Sequence, residues 1–211
     1  ERVLEGTAVP TVQILPLGTF SAVPALTVGE PDPNRARALL ASAGYPNGFR
    51  LTLHVPTDRY PGAPAVAQAV AQMWTRIGVR TSVVSMPWSA YATQRGSFAM
   101  HMVGLGNATF DATSMLVNVL GTPDRARNIG AGNTSSYSNP ALDSLVERAA
   151  GTFDDAAREE MLREATRLAM ADGAIIPLYH QTNSWALRRG LAYQPRLDER
   201  TLAKEVRQAT P

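Results

Sequence analysis

Residues 105–111, Leu105-Gly106-Asn107-Ala108-Thr109-Phe110-Asp111, place an amide, a hydroxyl and a carboxylate in one short turn-forming run. Such a set can hydrogen-bond a polar solute, and Asp111 can equally cap a helix starting near Ser114. Arg59 stands in the polar connection Thr57-Asp58-Arg59-Tyr60-Pro61-Gly62. An arginine there can grip a carboxylate through two parallel hydrogen bonds, although a lone loop arginine is commonly just solvated. Trp88 falls between a predicted strand and a predicted helix. It either plugs a core edge or lends a cleft wall a large, rigid contact area.

Other chemistry is short of parts. The chain has no cysteine, which excludes disulfides, thiolate metal sites and a thiol nucleophile. His54, His101 and His180 are far apart with no metal-ligand spacing, so neither a metal nor a cofactor is expected. Gly104-x-Gly106 follows a predicted strand, but Thr109 occupies the third glycine of a dinucleotide fingerprint and the match fails. No Gly-x-Ser-x-Gly elbow exists, and the acidic residues fall mostly at helix caps or on polar faces, so catalysis ranks below binding. Asn107-Ala108-Thr109 and Asn133-Thr134-Ser135 fit a glycosylation triplet that is frequent by chance. A net charge of +2 with scattered Lys and Arg gives no nucleic-acid stripe. No apolar run is long enough for a membrane-crossing helix.

The elements that must carry these residues are legible as an α/β pattern. Leu51-Thr52-Leu53-His54-Val55 alternates as a half-buried strand, and Val66, Val70, Met73, Trp74 and Ile77 share one helix face. Gly78 suits a helix C-terminus, and Val79–Met86 reads as a second strand. Short links favour a crossover between parallel strands. A short helix from Trp88 to Arg95 and a third strand over 98–104 follow, and ligands of α/β sheets gather at strand carboxyl ends. Asp32-Pro33, Asn139-Pro140 and Asp154 open three further helices, the first with a stripe of Ala36, Leu39, Leu40 and Ala43 expected to be buried. Residues 7–29 read as a proline-rich surface connection, Ser114–Leu120 as a short helix and Gly121–Ser136 as loop. Ala174–Tyr179 and Ser184–Arg188 read as strands. The chain begins at Glu1 without a Met, inside what reads as a helix tail, and a fragment is expected.

Three segments carry a family resemblance. Asp32-Pro33-Asn34-Arg35-Ala36-Arg37-Ala38-Leu39-Leu40-Ala41-Ser42-Ala43-Gly44-Tyr45-Pro46-Asn47-Gly48-Phe49 resembles a signature of the family 5 extracellular solute-binding proteins, receptors of peptide-, dipeptide- and nickel-type ABC importers. Tyr137-Ser138-Asn139-Pro140-Ala141-Leu142-Asp143 and Ile175-Ile176-Pro177-Leu178-Tyr179-His180 are similar to two more, in matching order.

The resemblance implies the C-terminal lobe of a type II periplasmic-binding-protein-like fold, with a mixed sheet flanked by helices. Residues 1–181 would be that lobe, incomplete at its start, and 182–211 a tail returning to the missing N-terminal lobe. The implied function is capture of oligopeptides or related small solutes by two-lobe closure and delivery to a membrane ABC permease. The implied setting is periplasmic or extracellular, with a lipoprotein anchor in a Gram-positive cell. Expected ligand contacts are Arg59, Tyr60, Trp88, Leu105, Gly106, Asn107, Ala108, Thr109 and Asp111. The family's turn is Gly-Trp-x-x-Asp-x-x-Asp-Pro, whose first Asp can hold a peptide's ammonium. Here Leu105 replaces Trp, Ala108 that Asp and Ala112 the Pro, which disfavours ligands with a free amino terminus. The competing readings are a hydrolase with a scattered active site and a protein-interaction domain using Gly121–Ser136.

Overall fold

The computed structural model describes residues 3–107, 109–196 and 198–209. In chain order its elements are β1 (Ala8–Pro10), α1 (Pro33–Ser42), β2 (Phe49–Pro56), α2 (Ala63–Arg76), β3 (Val79–Met86), α3 (Trp88–Gln94) and β4 (Met100–His101). There follow α4 (Thr113–Met115) running into a π-helical turn (Leu116–Leu120), α5 (Pro140–Ala150), α6 (Asp155–Ala171), β5 (Tyr179–Gln181), β6 (Leu191–Ala192) and β7 (Arg207–Gln208). The chain divides into two compact units. One holds residues 28–105 with the chain start through Gly6, the other Thr7–Thr27 with the chain from Gly106 onward.

In the first unit a parallel sheet runs in the order β3-β2-β4. β2 and β3 pair over their whole length, Phe49 against Val79 through Pro56 against Met86, with α2 as the crossover. Hydrophobic periodicity forms the unit: Leu53 and Val55 of β2 are buried with Ala63, Val66, Ala67, Val70 and Ala71 of α2. Small side chains let the helix lie close on the sheet. Met73, expected on that face, is exposed instead, because the buried stripe is centred on the alanines. Gly48 and Gly78 both take positive φ at the amino ends of β2 and β3. A Cβ on Gly48 would lie 1.9 Å from the Gly78 carbonyl oxygen, so only glycine admits this approach.

Helix entry follows the sequence. Asp32 Oδ1 accepts from the Asn34 and Arg35 amides, Asn139 Oδ1 from Ala141 and Leu142, and Asp154 Oδ1 from Ala157. Burial of α1 does not: none of its residues is buried, and Leu39 is 59% exposed. Periodicity states which residues share a face, not whether anything covers it.

The third strand is shorter than expected. Only Met100 and His101 pair with Leu53 and His54, extended by the Met102 amide donating to the His54 carbonyl. Beyond it, side chains take over the carbonyls: the Tyr91 hydroxyl donates to Met102, and the Tyr60 hydroxyl to Gly104 at 3.2 Å.

The second unit packs Leu15 and Ala22 with Ala112, Leu116 and Leu120, and with Leu142, Val146 and Ala149 of α5 and Leu162, Ala165 and Ala169 of α6. Residues 7–27 therefore supply core and a strand rather than a surface connection: Gln13 is buried and holds both the amide and the carbonyl of Val23, and β1 pairs antiparallel with β5. The ladder with β1 also puts the strand at Tyr179–Gln181 instead of Ala174–Tyr179, and no strand forms over Ser184–Arg188. Tyr137 and Asn139 both donate to Asp172 Oδ2, at 2.6 and 2.7 Å, tying the start of α5 to the end of α6. Burial first, and the Asp172 carboxylate second, push the Tyr137 hydroxyl up to about 12.

Candidate functional site

The carboxyl ends of β2, β3 and β4 carry an aromatic column. Trp88 opens α3 immediately after β3, and its backbone amide donates to Asp58 Oδ1 at 2.7 Å, fixing the connection after β2. Its indole stacks on Tyr91 with centroids 5.6 Å apart and meets the Tyr60 ring edge-on at 6.1 Å. Tyr91 is fully buried and in turn packs on Phe98, which lies flat on His54 at 3.8 Å. Burial raises the Tyr91 pKa and keeps it a neutral donor to Met102. One face of Trp88 thus rests on core aromatics, and the residue stays half-buried.

Arg59 lies over this column. Its guanidinium carbon is 5.6 Å from the Trp88 ring centroid and 5.7 Å from that of Tyr60. It has no ion pair among the described residues, and it is exposed. Aromatic faces hold such a cation electrostatically while leaving its N–H fork free for an anion. Gly104 completes the patch: a Cβ there would meet the Tyr60 ring at 2.6 Å, so the phenol lies directly on the backbone. Leu105 follows, exposed. The structure therefore brings Arg59, Tyr60, Trp88 and Leu105 together in the first unit. Asp58, Tyr91 and Phe98, which support them, went unnoticed in the sequence. The aromatic spacing Trp88-x-x-Tyr91 at one helix turn was the available signal.

In the second unit Asn107 closes a tight loop. Its side-chain amide donates to the Asp111 carbonyl at 2.7 Å, and its Oδ1 accepts from the Thr109 amide and hydroxyl and from Ser114. Gly106 is exposed, and Ala108 lies outside the described residues. Asp111 is only 9% exposed. It lies one residue ahead of Ala112, the N-cap of α4, and accepts from the Thr113 amide at 2.9 Å and from Arg158, whose guanidinium also bonds Thr113 and lies over Phe20 at 5.3 Å. Burial works to raise the Asp111 pKa. The hydrogen bonds from Arg158 and Thr113 and the Arg158 charge outweigh it and hold the carboxyl below its usual range. Its lone pairs are largely taken up by the fold. Among the described residues no group of three or more His, Cys, Asp or Glu could hold a metal ion, and no helix is long and apolar enough to cross a membrane.

Against known proteins, a family model described as bacterial extracellular solute-binding proteins, family 5 Middle, matches residues 1–127. Heme-binding protein A of Haemophilus influenzae is 29% identical over 154 residues, 71% of this chain and 27% of that protein. The periplasmic binding protein DppA of Helicobacter pylori, solved with the peptide STSA, superposes with a TM-score of 0.75 at 26% identity, covering 84% of this chain and 34% of that one. HbpA2 from Haemophilus parasuis shares the fold with a TM-score of 0.83 at 23% identity, over 99% of this chain and 42% of its own. This chain spans between 27% and 42% of the length of these three proteins. The family model covers more than half of it, and the chain belongs to the bacterial extracellular solute-binding proteins of family 5.

Proposed function

We propose that this chain is the C-terminal ligand-binding lobe of an ABC-importer receptor that captures small peptide-like solutes without chemical turnover. The observation that carries this reading is Arg59: a cation stacked on Trp88 and Tyr60 at the carboxyl ends of a parallel sheet, with no ion pair among the described residues. Such a group suits a ligand carboxylate, and the aromatic faces beside it suit an apolar side chain of any shape. Relatives named for heme, dipeptide and glutathione binding, and a relative solved with the peptide STSA, support a small organic solute as the ligand class.

Solute would enter between this lobe and an N-terminal lobe, closure about a hinge would bury it, and a membrane permease would recognise the closed form. Residues 182–211 would return to the first lobe. The setting would be periplasmic or extracellular, lipid-anchored in a Gram-positive cell. Ala108 offers no carboxylate to a ligand's ammonium, which leaves modified peptides, glutathione-like molecules, opines or sugars as the candidate solutes.

The test uses the protein at its full natural length. Mass spectrometry of co-purified solute names the ligand, and calorimetry compares it with its carboxyl-amidated analogue and with Arg59→Leu and Trp88→Ala. Losing one charge-assisted bidentate contact weakens binding by roughly 1.5–3 kcal/mol. Undiminished affinity in both variants, or turnover of the solute, refutes the reading.

A further inference from the structure

The other end of the same sheet holds a second set of polar groups that the proposed solute site does not use. Arg50 pairs in register with Arg80, and two residues along, Thr52 pairs with Ser82. Side chains two apart on a strand share a face, and neighbouring strands lie about 4.8 Å apart. The four side chains therefore form a two-by-two patch on one face of β2 and β3. They line a hollow of about 470 Å³ together with Leu51, Thr75 and Thr81, whose side chains belong to the α2 face of the sheet. Thr75 and Thr81 spend their hydroxyl hydrogens on the Ala71 and Val79 carbonyls, whereas the Thr52 and Ser82 hydroxyls have no partner among the described residues.

Like charges directly opposed on paired strands repel. Neither Arg50 nor Arg80 has a carboxylate partner among the described residues. Arg76 lines an adjoining hollow on the α2 side of the sheet, which shares Thr75 and Thr81, and the Arg76 carbonyl receives the Arg37 guanidinium at 3.1 Å. Residues 28–105 hold seven arginines (35, 37, 50, 59, 76, 80, 95) against three acidic residues (30, 32, 58). Arg59, Arg95 and Asp58 belong to the carboxyl end of the sheet, beside Trp88 and His101, whereas Arg50 and Arg80 stand toward the amino ends of β2 and β3, roughly 20 Å of strand away from Trp88 at about 3.3 Å per residue.

We propose that Arg50, Arg80, Thr52 and Ser82 form a binding site for a phosphate-type oxyanion, free or as a phospholipid headgroup. Two guanidinium forks and two hydroxyls supply more donors than a carboxylate's two oxygens use. Their two positive charges match the roughly −1.5 to −2 of a phosphate monoester near neutral pH.

The test takes the protein at its full natural length in chloride buffer and adds inorganic phosphate at constant ionic strength, reading the thermal midpoint and calorimetric heat. The parent protein gains thermal stability with phosphate. Arg50→Gln/Arg80→Gln loses that gain and binds phosphate about tenfold or more weakly, as expected for two lost ionic contacts. Without phosphate its midpoint is unchanged or higher, because a repulsion has been removed, which separates loss of binding from loss of fold. Thr52→Ala/Ser82→Ala weakens binding to a smaller degree. Arg188→Gln/Arg189→Gln removes the same charge elsewhere and leaves the response intact. A parallel arm floats vesicles of phosphatidic acid, whose headgroup is a phosphate monoester, and phosphatidylcholine against phosphatidylcholine alone. Binding to the anionic vesicles with no response to free phosphate assigns the headgroup as the source. Response to neither, or equal loss in the Arg188/Arg189 control, overturns the proposal. Solute affinity stays at the parental level in Arg50→Gln/Arg80→Gln, so this result and that for Arg59 are read independently.

Discussion

Substituting Asp111 separates a structural carboxylate from a ligand contact. Asp111→Asn keeps an oxygen for the Thr113 amide but removes the charge that faces Arg158. A hydrogen bond to a charged group contributes roughly 1.5–3 kcal/mol. Arg158 retains about a quarter of its side-chain exposure and can turn partly to water, so the lower half of that range applies: about 2 kcal/mol. Asp111→Ala also leaves the Thr113 amide without its acceptor, for about 1 kcal/mol more. In a double-mutant cycle with Arg158→Met, urea unfolding should return a coupling of about 1–2 kcal/mol, with both single variants less stable than the parent. Solute affinity, measured on the folded fraction, should change less than about threefold, well under the tenfold that 1.4 kcal/mol represents. The reasoning fails if Asp111→Ala unfolds at the parental urea midpoint while solute binding disappears.

Gly104→Ala should displace the Tyr60 ring, which a Cβ would meet at 2.6 Å. Weaker solute binding with a stability loss of about 1 kcal/mol is expected, and unchanged affinity would show that the ring position is immaterial. Asn139→Ala removes both the α5 cap and a bond to Asp172; chemical denaturation should report about 1–2 kcal/mol of lost stability. His101 has its pKa lowered by burial, by the Arg95 charge and by His54. Its neutral form is favoured on folding, so its contribution is full above the ordinary value of 6.5 and is lost as pH falls through the depressed one. Stability should therefore decline on acidification below 6.5, and His101→Asn should flatten that decline; a parallel pH profile in the variant would refute the assignment. Tyr137, raised from 10.0 to about 12, favours folding below pH 10 and loses that contribution as pH climbs toward 12, a loss that Tyr137→Phe should abolish in alkaline unfolding curves.

Local rules carried the sequence a long way. Asp32-Pro33, Asn139-Pro140 and Asp154 start helices because a short side-chain acceptor and a preset φ act within one turn, where neighbours in sequence are neighbours in space. The β2-α2-β3 crossover was legible because alternation and helical periodicity are properties of consecutive residues. What depends on partners distant in sequence was not. Leu39 has the spacing of a core residue and stands in solvent, while Gln13, in a proline-rich stretch, is buried because it completes the hydrogen bonding of Val23. The third strand stops at His101 because the next rung would need an N–H from Pro56, which has none, and two tyrosine hydroxyls, from α3 and from the connection after β2, take the Met102 and Gly104 carbonyls instead. Residue types alone offered Arg59, Trp88 and Asp111 as contacts, each with a structural or solvated role beside it. Only the tertiary structure gave Arg59 two aromatic faces and no ion pair among the described residues, and gave Asp111 an arginine from α6. A side chain's free valence is set by everything packed around it, and that is a property of the folded chain.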